Sequence, residues 1–138
     1  MKIQSTGYYV NRHSCFLLQY HLVLVTKYRK TAIVNEIEVA LTDYTKEYFA
    51  TRGIIIHELN TDKDHIHILF DAPPQINLAE FVNAFKSASS RYIQKNFKQQ
   101  LSAYYWKPHF WSLSYFIGSV SDRTASAVKE YIKNQKLK

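Results

Sequence analysis

Two histidines separated by one residue are the first feature of the sequence that could carry chemistry. His65 and His67 lie in HIHILFDAPP, whose β-branched and large apolar residues predict a β-strand. Because successive side chains of a strand point to opposite faces, both imidazoles share one face while Ile66 and Ile68 share the other. Neutral imidazoles side by side suit a divalent ion such as Mn, Co, Ni or Zn and leave room for substrate oxygens. Alternatively, the alternation only places polar residues on the outward side of a half-buried strand.

A tyrosine and a glutamine near the C-terminus could supply a nucleophile and a further metal ligand. Tyr131 and Gln135 are four residues apart in a helix predicted over about residues 122–136, so they lie on one face of it. In the alternative interpretation, Tyr131 belongs with Val128 and Ile132 to an apolar stripe, and Gln135 is a solvated surface residue. The spacing alone does not decide between the two.

The elements that must position these residues follow from apolar periodicity and turn residues. They are a strand from Cys15 to Lys27, a helix with an apolar stripe from Val34 to Tyr48 that Gly53 ends, an antiparallel hairpin of GIIIHELN and HIHILFDAPP around the turn TDKD, a helix capped by Asn77, a looser stretch from Lys98 to Pro108, a strand HFWSLSYFIGSV and the final helix. The first dozen residues are expected to be loosely held.

The predicted order β-α-β-β-α-β-α indicates an α+β fold, namely a ferredoxin-like, RNA-recognition-like split βαβ sandwich with an antiparallel sheet and an additional C-terminal helix. Two helices would cover one sheet face and leave the other open, which is where we expect function. The length of 138 residues predicts a single domain, 1–138. Cys15 is the only cysteine, which excludes an intrachain disulfide and favours a reducing, cytoplasmic location. No apolar run is long enough to predict a membrane span, and no signal peptide is recognisable.

The charge of the chain makes nucleic acid the leading candidate partner. Eighteen Lys and Arg against eleven Asp and Glu give a net charge of +7 and a pI near 9.4. Lys27, Arg29 and Lys30 at the end of the first strand, with Lys86 and Arg91 on the second helix, are the candidate DNA-binding residues. For each of them, a solvated surface position is an equally good interpretation.

Aromatic and further histidine residues extend the candidate site. Tyr28 and Trp111 could stack on unpaired bases, although core or interface packing is the more frequent role of such rings. His21 and His57 lie on predicted neighbouring strands and are candidates to approach the metal.

Four segments resemble the IS200/IS605 family of single-tyrosine (Y1) transposases, whose metal ligands include a His-hydrophobic-His (HUH) pair. They are TDKDHIHILFDAPP, CFLLQYHLVLVTKYRK, FWSLSYFIGSV and the C-terminal VKEYIKNQ, and the resemblance covers nearly the whole chain. It implies that His65, His67 and Gln135 hold a divalent ion, Mg²⁺ or Mn²⁺, and that Tyr131 is the nucleophile. It also implies a homodimer with active sites shared between subunits, acting on hairpin ends of its own element.

The function that this resemblance implies is transposition, a form of DNA recombination. The protein would be a metal-dependent endonuclease and strand transferase that cleaves and rejoins single-stranded DNA through a 5′-phosphotyrosine intermediate, and so moves an insertion sequence. A tyrosine hydroxyl has an ordinary pKa near 10, so attack on a phosphodiester at neutral pH needs the help of a metal.

Two alternatives remain open from the sequence. The same strand and helix order serves RNA-recognition-like modules that bind single strands on the open sheet face, although HIHILF places imidazoles where such modules carry stacking rings. A domesticated HUH nuclease without mobile-element function, or a related replication or plasmid-transfer initiator, would use the same residues. The sequence leaves undetermined the DNA hairpin, the cleavage site, the insertion target, the physiological metal and the cis or trans placement of the last helix.

Overall fold

A four-stranded antiparallel sheet with helices on both faces organises the chain in the computed structural model, which describes residues 2–3, 7–120 and 124–135. In chain order the elements are β1 (Lys2–Ile3), β2 (Tyr9–Val10), β3 (Cys15–Phe16), β4 (Gln19–Val25), a 3-10 turn (Lys27–Arg29), α1 (Asn35–Thr51), β5 (Ile55–Asp62), β6 (His65–Asp71), α2 (Leu78–Asn96), α3 (Lys98–Leu101), β7 (Phe116–Ser119) and α4 (Thr124–Asn134). The main sheet has the strand order β5-β6-β4-β7, and β1, β2 and β3 form a small second sheet. The predicted α+β split βαβ fold is confirmed.

One face of the main sheet carries the core. Leu22 and Leu24 of β4 and Ile66 and Ile68 of β6 are completely buried, and they pack with residues of α1 and α2. Phe49 of α1 lies at the centre of a ring cluster, with edge-to-face contacts to Phe70, Phe81 and Phe85. This cluster fixes the two helices to the sheet and leaves the opposite face of β4 and β6 available for other groups.

The two long helices begin and end where their residues predict. Asn77 caps α2, because its side-chain oxygen accepts a hydrogen bond from the backbone N–H of Glu80 at 3.1 Å. Gly53 follows α1 with a φ of +72°, a left-handed conformation that glycine adopts without steric cost. The stretch after α2, predicted to be loose, contains the four-residue helix α3, Lys98–Leu101.

The predicted first strand, Cys15 to Lys27, is wrong as one element. Cys15 and Phe16 pair with β2, whereas Gln19–Val25 pairs with β6 and β7. The chain changes partner at Leu17 and Leu18, so the strand cannot be continuous. At the other end Lys27 leaves the sheet and enters the 3-10 turn.

The predicted fourth strand, HFWSLSYFIGSV, is interrupted in its middle. Thr26 forms a bridge with Trp111, while Val23 lies opposite Phe116. The chain therefore advances five residues from Trp111 to Phe116, but only three from Val23 of β4 to Thr26, which follows β4. The extra residues are displaced from the hydrogen-bonded ladder between these two pairs, where the side chain of Leu113 is 86% exposed.

Two further predictions concern the chain ends. The first dozen residues were expected to be loosely held, but Tyr9 in β2 is buried and its hydroxyl donates a hydrogen bond to Asp71 of β6. The last helix is present as α4, while the predicted start near Asp122 and the end at residue 136 lie outside the described residues. None of the described helices is long and apolar enough to cross a membrane.

Candidate active site

The open face of the sheet carries His65 and His67. The alternation predicted for β6 holds, since Ile66 and Ile68 are completely buried on the core side while both imidazoles are only partly buried. His67 pairs with Val23 of β4 across the ladder. Directly paired residues of neighbouring strands share a face, so the open face combines the imidazoles with apolar side chains of β4.

His65 is held by the turn that precedes it. Its Nδ1 lies 2.8 Å from Oδ1 of Asp64, and Oδ2 of the same carboxylate lies 2.6 Å from Nε of Arg29. Burial by itself would raise the pKa of Asp64, but the hydrogen bonds from His65 and Arg29 and the charge of Arg29 hold it below its usual value. The carboxylate is therefore ionised at neutral pH.

His67 has a histidine partner on β4. Nδ1 of His21 lies 2.7 Å from Nε2 of His67, and the two rings are stacked with their centroids 5.0 Å apart. Burial, and then the neighbouring His21, lower the pKa of His67 below its usual value. His67 is therefore neutral at pH 7, the form in which imidazole binds metals. His21 thus lies beside a predicted ligand, as the sequence suggested it could.

His57 does not join this group. A bulge in β5 occurs between Ile56 and Glu58, and Nε2 of His57 lies 2.5 Å from Oδ2 of Asp71. Tyr9 donates to the same carboxylate oxygen. His57 thus belongs to a separate polar cluster at the far end of β6.

Helix α4 covers part of the open face. Val128 is buried against Val23 and Val25 of β4, with Tyr131 and Ile132 packed around them. This contact includes the apolar stripe that the sequence allowed for Tyr131. It also places the tyrosine on the same face of the sheet as the histidines.

The polar ends of Tyr131 and Gln135 meet at Ser114. Its Oγ lies 2.8 Å from the Tyr131 hydroxyl and donates to Oε1 of Gln135 at 3.2 Å. Because the serine proton is directed to Gln135, the tyrosine O–H is the donor in the first bond. Burial raises the pKa of Tyr131 above its usual value. The tyrosine is therefore protonated at neutral pH.

The structure gathers the predicted site residues in two pairs. His65 and His67 lie on β6, and Tyr131 and Gln135 lie on and just after α4. Across the described ranges 7–120 and 124–135, no hydrogen bond joins one pair to the other. Nor do those ranges contain a group of three or more His, Cys, Asp or Glu placed to hold a metal.

The basic residues near the end of β4 differ in their surroundings. Arg29 is engaged with Asp64, whereas Lys30 is exposed and Lys27 is partly exposed. The ring of Tyr28 is 50% exposed beside Lys27, whose Nζ lies 5.1 Å from the ring centroid.

The basic residues of α2 lie elsewhere. Lys86 donates a hydrogen bond to the carbonyl of Leu113 at 2.7 Å, and burial lowers its pKa. Arg91 lies in a groove between α1 and α2 with Tyr44 and Tyr48, in the helical layer and away from the histidines. The five predicted DNA-binding residues therefore do not form one surface. Trp111 is also not available for stacking on bases, because it is buried and donates to Ser89 Oγ at 3.0 Å.

Sequence reasoning missed two residues of this site. Asp64 was taken only as part of the turn TDKD, although its position next to His65 could have drawn attention to it. Ser114 carries no sequence signal, because it reaches Tyr131 only through the irregular segment before β7.

Comparisons with known proteins show the family to which the chain is similar. Residues 14–135 match the family model described as "Transposase IS200 like". The chain is 33% identical over 120 residues to the ISDra2 transposase TnpA of Deinococcus radiodurans, covering 87% of this chain and 85% of the relative. It is 29% identical over 123 residues to the transposase for insertion sequence element IS200 of Salmonella typhimurium, covering 89% and 80%.

Two solved structures share the fold. A crystal structure of a candidate transposase from Deinococcus radiodurans R1 superposes with a TM-score of 0.86 and 31% identity, covering 94% of this chain and 99% of the other. A REP-associated tyrosine transposase bound to a REP hairpin gives a TM-score of 0.53 at 11% identity, covering 94% and 76%. The second likeness concerns the fold alone.

Proposed function

Because the chain belongs to the family of IS200-like transposases, we propose that it cuts and rejoins single-stranded DNA with Tyr131 as the nucleophile. The observation that carries this proposal is the common face of the sheet. His65 and His67 lie on that face of β6, and α4 packs its Val128 on the same face of β4. A phosphodiester lying across this face would meet both the imidazoles and the tyrosine helix.

The donor groups on this face fit a divalent ion. His65 and His67 would hold Mg²⁺ or Mn²⁺ with Gln135, whose amide is buried and already turned toward the sheet side of α4 by Ser114. All three ligands are neutral, so they do not diminish the charge of the ion, and imidazole favours Mn²⁺ over Mg²⁺. When bound, the ion would polarise a nonbridging phosphate oxygen and offset the charge that develops in the transition state.

The tyrosine supplies the covalent step. The Tyr131 oxygen forms a bond to phosphorus while the bond from phosphorus to the 3′ oxygen breaks, which leaves a 5′-phosphotyrosine and, after proton transfer, a free 3′-hydroxyl. Since the pKa of Tyr131 is raised, its proton must leave during attack, and Ser114 Oγ is the first acceptor in contact with it. The reverse reaction with a second 3′-hydroxyl rejoins DNA without ATP.

The substrate is a single-stranded segment with a hairpin, at the ends of the element that encodes the protein. The net charge of +7 attracts a polyanion, and a REP-associated transposase of the same fold binds a REP hairpin. Lys27 and Lys30, which lie at the end of β4 that leads to the histidines, contact its backbone. In this proposal Lys86 and Arg91 contribute from separate surfaces.

The functional unit is a homodimer that shares active sites. Within the described residues, no hydrogen bond joins Tyr131 or Gln135 to the histidines of their own subunit, so an ion on the histidines could take these two residues from either subunit. Mixing His67→Ala with Tyr131→Phe protein tests this arrangement. Shared sites predict that the mixture regains cleavage that each variant lacks, whereas sites built within one subunit predict no recovery.

The function is tested with labelled single-stranded oligonucleotides from both flanks of the protein's own gene. Wild type, Tyr131→Phe and a control, Tyr92→Phe on the distant surface of α2, are each incubated with Mn²⁺ or with chelator. Wild type and the control should cleave and exchange strands only with metal, and Tyr131→Phe should do neither. DNA binding without cleavage in every sample, unaffected by chelator, would instead support a binding module.

A further inference from the structure

Asp64, in the turn before β6, forms an ion pair with Arg29 and contacts the predicted metal ligand His65. Asp64 is largely buried, with its side chain 17% exposed. One carboxylate oxygen lies 2.8 Å from Nδ1 of His65 and the other lies 2.6 Å from Nε of Arg29. Asp64 therefore connects Arg29 to His65 with both of its oxygens in use.

The backbone of Asp64 is fixed as well as its side chain. Its carbonyl accepts hydrogen bonds from the backbone N–H of Thr26 at 2.9 Å and from Thr26 Oγ1 at 3.2 Å. Thr26 is completely buried at the end of β4. These bonds prevent the carboxylate from moving away from His65 by a shift of the turn.

The segment that supplies Arg29 has an unusual conformation. Tyr28 and Arg29 have φ values of +57° and +55°, in the left-handed region that non-glycine residues rarely occupy. The surrounding structure maintains it, since the Tyr105 hydroxyl donates to the Lys27 carbonyl at 2.7 Å and Thr26 Oγ1 donates to the Lys30 carbonyl at 2.6 Å. Strained backbone that neighbouring groups hold in place often serves a functional site, and here it brings Arg29 to Asp64.

We propose that Asp64 and Arg29 are positioning residues that fix the tautomer and the orientation of His65 for metal binding. A carboxylate can only accept at this distance, so Nδ1 of His65 carries the proton and Nε2 keeps its lone pair for the ion. Arg29 holds the carboxylate in place through its second oxygen. The inference rests on the proposed function, and it changes the role predicted for Arg29 from phosphate contact to support of a ligand.

The two roles of Arg29 predict opposite results in two measurements. The first is the affinity for Mn²⁺ without DNA, which is measured from the electron paramagnetic resonance signal of the free ion. The second is the slope of log binding constant against log salt concentration for single-stranded DNA in chelator. A phosphate contact contributes about 0.7 to that slope, whereas a positioning residue contributes nothing to it.

The variants are Asp64→Ala, Asp64→Asn, Arg29→Ala and, as the exposed control, Lys30→Ala. Asp64→Ala should weaken Mn²⁺ binding by about 10- to 100-fold. Asp64→Asn keeps a carbonyl oxygen that accepts from Nδ1 and should recover most of that loss, which a general loss of folding would not allow. Arg29→Ala should weaken Mn²⁺ binding without changing the salt slope, whereas Lys30→Ala should reduce the slope and leave Mn²⁺ binding intact.

Three outcomes would overturn the inference, and they can be told apart. If wild type binds Mn²⁺, His67→Ala loses it and Asp64→Ala keeps it, the metal site stands and the positioning role is wrong. A reduced salt slope in Arg29→Ala with unchanged Mn²⁺ affinity would likewise return Arg29 to phosphate binding. If wild type binds no Mn²⁺ or His67→Ala binds it equally well, the proposed metal site fails and the positioning role fails with it.

Discussion

Replacing Val128 by alanine should weaken the docking of helix α4 on the sheet while leaving the rest of the fold in place. Val128 is 8% exposed and covers Val23 and Val25, which are completely buried. The change removes two methyl-sized groups at about 0.8 kcal/mol each, and the cavity raises the cost to about 2 kcal/mol. The higher helix propensity of alanine offsets a few tenths of a kcal/mol of this cost.

Hydrogen exchange followed by mass spectrometry measures this effect directly. A loss of about 2 kcal/mol in the docking of α4 corresponds to about 30-fold faster exchange of its amides, with little change in β4 and β6. Val39→Ala is the matched control, because Val39 is 60% exposed on α1 and undergoes the same change in helix propensity. Exchange in α4 that is the same in Val128→Ala as in wild type would refute the contact between this helix and the open face.

Three other predictions test separate parts of the structure. Burial and the hydrogen bond to Asp71 raise the pKa of Tyr9 from 10.0 to about 12. The stability that the neutral phenol adds is therefore present below pH 10 and is lost as pH rises through about 12. Urea unfolding should show the difference in stability between wild type and Tyr9→Phe narrowing over that range, and a constant difference would contradict this role. Asn77→Ala should lower the free energy of unfolding by about 1 kcal/mol because α2 loses its cap, and an unchanged urea midpoint would count against that role. His67→Ala should abolish Mn²⁺ binding measured by calorimetry while His57→Ala retains it; equal binding by both would exclude His67 as a ligand.

The parts of the fold that depend on local periodicity were predictable from the sequence. Alternation along β6 places His67 and its neighbour Ile68 on opposite faces of the strand, and the stripe of apolar residues along α2 identifies the buried face of that helix. Both patterns follow from the geometry of a single element. The cap at Asn77 is also local, since it needs only the next few residues.

The irregular parts depend on contacts between distant segments. The strand predicted at 109–120 has the right apolar composition, but its pairing with β4 contains surplus residues between Trp111 and Phe116. Register is set by both strands together, so the pattern of one strand could not reveal the interruption. Tyr9 is likewise held in place by a hydrogen bond to Asp71, a residue 62 positions away in the sequence.

The candidate site shows the same division. His65 and His67 stood out by type and spacing, and Tyr131 was singled out through the family resemblance, whereas the supporting residues did not stand out. Arg29 looked like one more basic residue in a basic cluster, and only the left-handed turn brings it to Asp64. Supporting residues of this kind are recognised by contacts, which a single sequence does not display.

Identifying the residue that carries DNA after cleavage decides whether Tyr131 is the nucleophile. Wild-type protein is reacted with a single-stranded oligonucleotide from its flanking DNA in Mn²⁺, denatured and digested with nuclease and protease, and the modified peptide is sequenced by mass spectrometry. We expect a nucleotide 5′-phosphate on Tyr131 within α4. A phosphate attached to any other residue, or cleavage that leaves no nucleotide on the protein, would contradict it.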